Sequence, residues 1–293
     1  MRYVFPLVAI AATFVLSPAV FAQSKPTDIH VSVVDSKGNP AVGLNVADFR
    51  VREDGVAREV LKAGPAVEPL TVALLIDDSQ TASPWVQMIR EATETFLKTL
   101  DGKAEVALVT FGDRPTIVTD YTTDQKKLQD SARRIFPRSG AGGVLMEALV
   151  EVSKGLEKRK PKRPVIAVLM MDGSVEFSNR YYDSVLKELD KSGAALHVVS
   201  LGPPNETLSD ELRNRNQVVA LGTQRSGGRR DNVIAVSAAP PRMKQLAEEL
   251  LNQYVVTYGR PDTLIPPEKI AVTVTTSGLT ARARTRTGAA GGK

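Results

Sequence analysis

The chain has 293 residues, 42% hydrophobic and 24% charged, with a formal net charge of +5 and no cysteine. That length and apolar content allow one large or two modest cores, and the lack of cysteine excludes a disulfide framework, so apolar burial must supply the stability. Aromatic residues are sparse at 5%, and no stacking module accompanies the basic residues, which argues against a nucleic-acid partner. Arg213, Arg215, Arg225, Arg229, Arg230, Arg282, Arg284 and Arg286 are expected on solvated loops and an edge strand.

Arg2 precedes an apolar run from Leu7 to Leu16, broken only by Thr13, and then come Pro18 and Val20-Phe21-Ala22. This is the pattern of an export leader, residues 1–22, cut after Ala22. The run falls short of the roughly 18 to 20 apolar residues that a membrane-spanning helix needs. Since no later stretch is longer or more apolar, the protein left after cleavage is expected outside the cytoplasm, periplasmic or extracellular, without a transmembrane segment.

From Ile29 to Val60 the pattern has period two. Ile29, Val31 and Val33 alternate with His30 and Ser32, and Phe49 and Val51 with Arg50 and Arg52, so half-buried strands are expected in residues 23–68. Asp54-Gly55 tolerates positive φ and predicts a tight hairpin, and Gly38-Asn39-Pro40 another turn. Ala63 to Pro69, with two prolines and a glycine, has the composition of a linker.

The period changes at Thr71. The short apolar runs Val72 to Ile76, Val106 to Phe111, Val165 to Met171 and Leu196 to Leu201 read as strands covered on both faces. Between them Trp85, Met88, Ile89, Ala92, Phe96 and Leu100 recur at helical spacing, as do Leu145, Leu149, Val152 and Leu156, then Val185 and Leu189; on this spacing Trp85 is a core residue. The alternation predicts, over residues 69–252, a Rossmann-like α/β domain whose mainly parallel central sheet is flanked by helices. Pro203 to Ala239 reads as a polar, glycine-rich connector. A helix through Leu246 and Leu250 leads into a C-terminal β segment, residues 253–287, in which Ile270, Val272 and Val274 restore period two. The simplest assembly pairs that segment with residues 23–68 in a smaller β-rich domain, followed by a frayed tail, residues 288–293.

In an open parallel sheet, ligands bind beyond the carboxyl ends of the strands. The residues leaving the first and third apolar strands are acidic and hydroxylic: Asp77-Asp78-Ser79-Gln80-Thr81 and Asp172-Gly173-Ser174. Leu74 to Thr81 resembles the Asp-x-Ser-x-Ser signature of von Willebrand factor A (VWA) domains, whose side chains hold a divalent cation. Met171-Asp172-Gly173 resembles the family's Thr-Asp-Gly motif, and Ala141-Gly142-Gly143-Val144-Leu145 its Gly-Gly-Thr-x-Leu. The flanks, Val33 to Gly55, Gln253 to Tyr258 and Gly278 to Arg284, are similar to a bacterial subfamily of secreted VWA-related proteins. The resemblance therefore spans nearly the whole chain after the leader.

What the resemblance implies is an adhesion or interaction module with Mg2+ or Mn2+ held by Asp77, Ser79, Thr81 and Asp172, and with a protein partner whose acidic side chain completes the coordination. Gly143 departs from the pattern, because it stands where the family has a liganding threonine and glycine has no side-chain oxygen; the site is degenerate. A second reading stays open: Asp77 and Asp172 cap the helices after their strands while Ser79 and Thr81 satisfy first-turn amides. Asp78 is expected to face solvent, and Asp77, at a strand's exposed end, to accept alanine at little cost in stability. No nucleophile–base pair, phosphate loop or dinucleotide fingerprint is present, and His197, which interrupts an apolar strand, suits a core position. Catalysis is not expected. The alternatives are a metal-free scaffolding protein of the envelope and, behind it, a metal-dependent hydrolase using Asp77 and Asp172.

Overall fold

A computed structural model describes residues 24–205, 209–261 and 265–286. The expected leader, residues 1–22, and the expected tail, residues 288–293, lie outside the described residues.

The chain begins in a small β unit. β1 (Ser24–Val34), β2 (Phe49–Glu53), β3 (Val56–Arg58) and β4 (Val60–Pro65) come from its first part, and β11 (Tyr254–Pro261), β12 (Ile270–Val274) and β13 (Thr280–Ala283) from its last. Among the described residues these strands make two sheets, ordered β13-β1-β11-β4 and β12-β2-β3. The N-terminal β1 thus lies between two C-terminal strands, antiparallel to both. Period two explains the packing: Ile29, Val31 and Val33 of β1 and Tyr254, Val256 and Tyr258 of β11 face Phe49, Val51, Ile270 and Val272 across a common core. Asp54 and Gly55 turn β2 into β3 with φ of 48° and 84°, the backbone that a two-residue hairpin demands.

The stretch with linker composition is strand as far as Pro65, since Ala63, Gly64 and Pro65 pair with Val256, Val255 and Tyr254. β4 is an edge strand, the one sheet position where a missing proline N–H goes unnoticed.

Between β4 and β11 runs the α/β unit: β5 (Leu70–Ile76), α1 (Val86–Leu100), β6 (Ala104–Thr110), β7 (Thr116–Thr122), α2 (Gln125–Arg133), α3 (Leu145–Arg159), β8 (Arg163–Met171), α4 (Tyr182–Ser192), β9 (Ala195–Leu201), α5 (Asp210–Ser226), β10 (Arg230–Val233) and α6 (Ala239–Leu251). Its sheet runs β10-β9-β8-β5-β6-β7, parallel except for β7. This is the expected mainly parallel, helix-flanked α/β architecture. Val72, Leu74 and Ile76 of β5 pack with α1, α2 and α6, while Ala73 and Leu75 meet α3, α4 and α5. With β6 on one side of β5 and β8 on the other, the strand order reverses at β5, and a crevice opens above its end.

Two expectations change here. Trp85 is 44% exposed; it ends a 3-10 turn, Gln80–Trp85, that precedes α1, and three residues per turn carry it off the stripe of Ile89, Ala92, Phe96 and Leu100. The stretch from Pro203 to Ala239 holds α5 and β10 rather than a mobile connector. Ser209 caps α5 by accepting from the Leu212 N–H, and Gly227 ends it at φ 81°. Gly228 is required by a close approach, because a Cβ there would lie 1.8 Å from the Leu196 carbonyl oxygen.

Of the arginines expected in solvent, Arg215 is buried and Arg225, Arg229, Arg230, Arg282 and Arg284 are partly buried, while Arg213 and Arg286 are exposed. Arg229 and Arg282 meet the buried carboxylate of Glu249 at 3.1 and 2.7 Å, joining β10 and β13 to α6. His197 sits fully buried nearby; burial, with Arg229 and Arg282 adding to it, holds its pKa down at about 4.

Removing one partner of a buried ion pair strands the other charge. Glu249→Ala should therefore lower the unfolding free energy by about 3 kcal/mol in urea denaturation. The depressed His197 pKa has a definite sign: the unfolded state takes up its proton first, so this contribution is complete above pH ~6.5 and is lost as pH falls toward ~4. Relative to His197→Leu, wild type should lose up to about 3 kcal/mol of stability as pH falls through that window. A pH-independent difference would contradict this assignment.

Candidate functional site

The carboxyl ends of β5 and β8 carry Asp77 and Asp172 into the crevice. Asp77 is 1% exposed. Its Oδ1 accepts from the Ser79 N–H at 2.9 Å, and its Oδ2 from the Met171 N–H at 3.0 Å and the Ser174 hydroxyl at 2.7 Å. Ser79 Oγ lies 3.0 Å from Ser174 Oγ. Because the Ser174 proton goes to Asp77, Ser79 must be the donor in that contact. Asp77, Ser79 and Ser174 thus form one buried chain that ties the loop after β5 to the loop after β8.

Asp172 turns another way. Its Oδ1 lies 3.4 Å from Arg230 Nη2 and 3.9 Å from Arg215 Nη2. Arg215, 2% exposed, projects from α5 and donates to the carbonyls of Ser174 and Asp172 at 2.9 and 3.0 Å, so it clamps the backbone of the same loop. Thr81 stands in the 3-10 turn after Ser79, half-buried, along a shallow groove with Trp85, Met171, Gly173, Leu201 and Pro203. Ser79 occupies the N-terminal position of that turn and makes no side-chain cap bond.

Asp78 does not face solvent. It is 4% exposed; its Oδ1 accepts from the Gly112 N–H at 2.5 Å and its Oδ2 from Arg138 Nε at 2.9 Å. Arg138 comes from the loop before α3 and donates also to Thr116 Oγ1 at 2.8 Å. Gly112 must lack a side chain, since a Cβ would lie 2.7 Å from the Asp78 carboxylate. Glu176 is buried as well, and burial pushes its pKa up to about 7.

Of the four expected ligands, then, Asp77 and Ser79 are brought together, with Ser174 as the third member, while Asp172 is engaged by arginine and Thr81 lies to one side. A magnesium-like ion needs oxygen donors free to converge on one point. Both Asp77 oxygens are taken by N–H and O–H donors, the charge of Asp172 is met by guanidinium groups, and Gly143 has no side-chain oxygen. The residues present do not fit a resident divalent cation.

Around this polar centre the loops expose apolar side chains: Trp85 after β5, Phe136 before α3, and Val175, Phe177 and Tyr181 after β8. Several are braced. Arg90 stacks 4.2 Å over the Phe136 ring, and Phe177 lies so close over Gly142 that a Cβ there would sit 2.5 Å from its ring.

Sequence reasoning passed over Arg138 and placed Arg215 and Arg230 in solvent, whereas both lie against Asp172. For Arg215 a signal existed: Leu212, Arg215, Val218, Val219 and Gly222 recur at helical spacing, and all are buried on α5.

Residues 72–174 match the family model of the von Willebrand factor type A domain. Among solved structures the chain is similar to a von Willebrand factor type A protein from Catenulispora acidiphila, at 12% identity over 92% of this chain and 74% of that one, with a TM-score of 0.51. It is also similar to proximal thread matrix protein 1 of the mussel byssus, solved with a zinc-occupied MIDAS motif, at 12% identity over 68% of this chain and 49% of that one, with a TM-score of 0.50. BatB from Bacteroides thetaiotaomicron follows at 15% identity over 61% of this chain and 98% of that one, with a TM-score of 0.48. At such identities the likeness to the first two establishes the fold alone. No curated protein matches the sequence. Among the described residues no helix is long and apolar enough to cross a membrane.

The expectation that Asp77 tolerates alanine gives way to its burial and its three accepted hydrogen bonds. Asp77→Ala leaves the Ser79 and Met171 N–H groups without an acceptor, and should cost about 3 kcal/mol of stability, read from the urea midpoint.

Proposed function

With a von Willebrand factor type A domain at the centre of this chain, we propose that the protein is an exported, non-catalytic binding module that grips a protein partner at the carboxyl end of its parallel sheet. One observation carries this reading: exposed Trp85, Phe136, Val175, Phe177 and Tyr181 surround a buried, fully bonded polar centre. Large exposed apolar side chains gathered on loops above a rigid scaffold mark contact surfaces, and aromatic anchors supply most of the affinity in such contacts.

The polar centre supports recognition rather than reaction. The acidic side chains are held by N–H, O–H or guanidinium donors, and His197 is buried away from the crevice beside Glu249. Zinc in the mussel structure belongs to that protein; in this chain Asp77, Ser79, Thr81 and Asp172 form the floor of the contact face, and binding there needs no carboxylate from the partner to complete a coordination shell. The leader pattern from Arg2 to Ala22 supports export.

Immobilised protein should retain a partner from envelope extract that Phe177→Ser and Tyr181→Ser variants lose by tenfold or more, with the unfolding midpoint unchanged because both side chains are exposed. Retention by the variants at wild-type strength would move the contact surface elsewhere.

A further inference from the structure

The carboxylates at the crevice outnumber anything an apolar core tolerates unpaired, so their charge must be met from somewhere. Asp77, Asp78, Asp172 and Glu176 are each at most 6% exposed. Three guanidinium groups approach them: Arg138 on Asp78 at 2.9 Å, Arg230 on Asp172 at 3.4 Å, and Arg215 at 3.9 Å from Asp172, beneath the loop that also holds Ser174. Arg215 feels the charge of Asp77 as well as that of Asp172 and Glu176. The fourth acid, Glu176, carries a pKa pushed up to about 7 by burial, so a proton supplies much of its balance at neutral pH. Acids and bases therefore match nearly one for one.

We propose that Arg215 and Arg230 permanently take the place of a divalent cation at this crevice, so that the contact face is complete without any metal ion. Three features make the substitution specific. Arg215 is held in place by carbonyls of the very loop that bears Asp172, and so acts as a fixed charge rather than a mobile one. Arg230 is anchored by Asn232 Oδ1 at 3.0 Å, two residues along the same strand. Gly143 leaves room for a ligand that it does not supply, since a Cβ would meet its nearest neighbour, the Val175 carbonyl oxygen, at an ordinary 3.5 Å. A side chain can therefore start there, and with the guanidinium charge in place no liganding oxygen is needed. An entering divalent ion would meet two positive groups beside Asp172 and, at Asp77, a carboxylate that already accepts three hydrogen bonds, both unfavourable to coordination. Guanidinium, always charged and forked, suits such a structural role better than lysine.

The proposal deepens the reading of this face as a contact surface, yet its test needs no partner, so the two can fail separately. Calorimetric titration of the full chain with MnCl2 and MgCl2 should show no saturable heat, and the thermal midpoint should be the same in either salt as in EDTA. Arg230→Gln combined with Gly143→Thr removes one positive group and adds one oxygen; this variant should gain a single Mn2+ site, seen by calorimetry and by electron paramagnetic resonance. Arg230→Lys, which keeps the charge, should not. Should the double variant fail to fold, Arg230→Gln alone, at a partly exposed position, carries the comparison. Saturable one-to-one binding by the wild type that Asp77→Asn abolishes would overturn the proposal. So would absence of Mn2+ binding in the glutamine variants, because the arginines would then not be what replaces the ion.

Discussion

A single buried guanidinium, that of Arg163 at the start of β8, holds the neck through which the chain leaves the β unit and returns to it. It donates to the carbonyls of Ala66 and Glu68 on the outgoing strand, and to the Leu250 carbonyl and Gln253 Oε1 on the returning one. An inserted unit needs its two crossing strands side by side, and the Ala66 N–H bonding to the Gln253 carbonyl closes that gap. Gln253 in turn donates to Ser32 of β1. The small sandwich and the parallel sheet are thereby set in one geometry by a few buried and part-buried polar contacts.

The same principle recurs at the opposite end of the sheet. Backbone bridges join Gly143 to Gly112 and to Glu176 among the loops at the strands' carboxyl ends, and buried side chains add to them: Asp77 fastens the loop after β5 to that after β8, Asp78 and Arg138 fasten it to the loop before α3, and Arg215 reaches from α5 to the backbone at Asp172 and Ser174. On the proposed function, a partner would find a surface organised in advance, which reduces the ordering entropy that binding would otherwise consume. Exposed aromatics above it supply apolar contact; the charges beneath supply shape.

On the proposal above, the charge of Asp172 is met from within the chain by Arg215 and Arg230, which lie outside the motif and beyond the end of the matched domain model at residue 174. Reading ligands from the motif alone names the acids and misses what balances them.

The α/β class, the four central strands, helices α1, α3 and α4 and the hairpin at Asp54-Gly55 were legible in the amino-acid sequence, because each depends on local spacing of apolar residues or on a local backbone demand. So was the location of the crevice, since Asp77 and Asp172 follow apolar strands. Helix α5 escaped notice because its buried stripe contains Arg215, Gly222, Thr223 and Ser226, residues that carry no apolar signal. Trp85 misled for the converse reason: its spacing is helical, but the turn that carries it is not. What tertiary structure alone decided was strand order, the place of β1 between β11 and β13, and the burial of Asp77, Asp78 and the arginines. A side chain such as Asp77 is buried by a partner 97 residues away, and no local pattern records the encounter; the free energy of a charge depends on what distant chain brings to it.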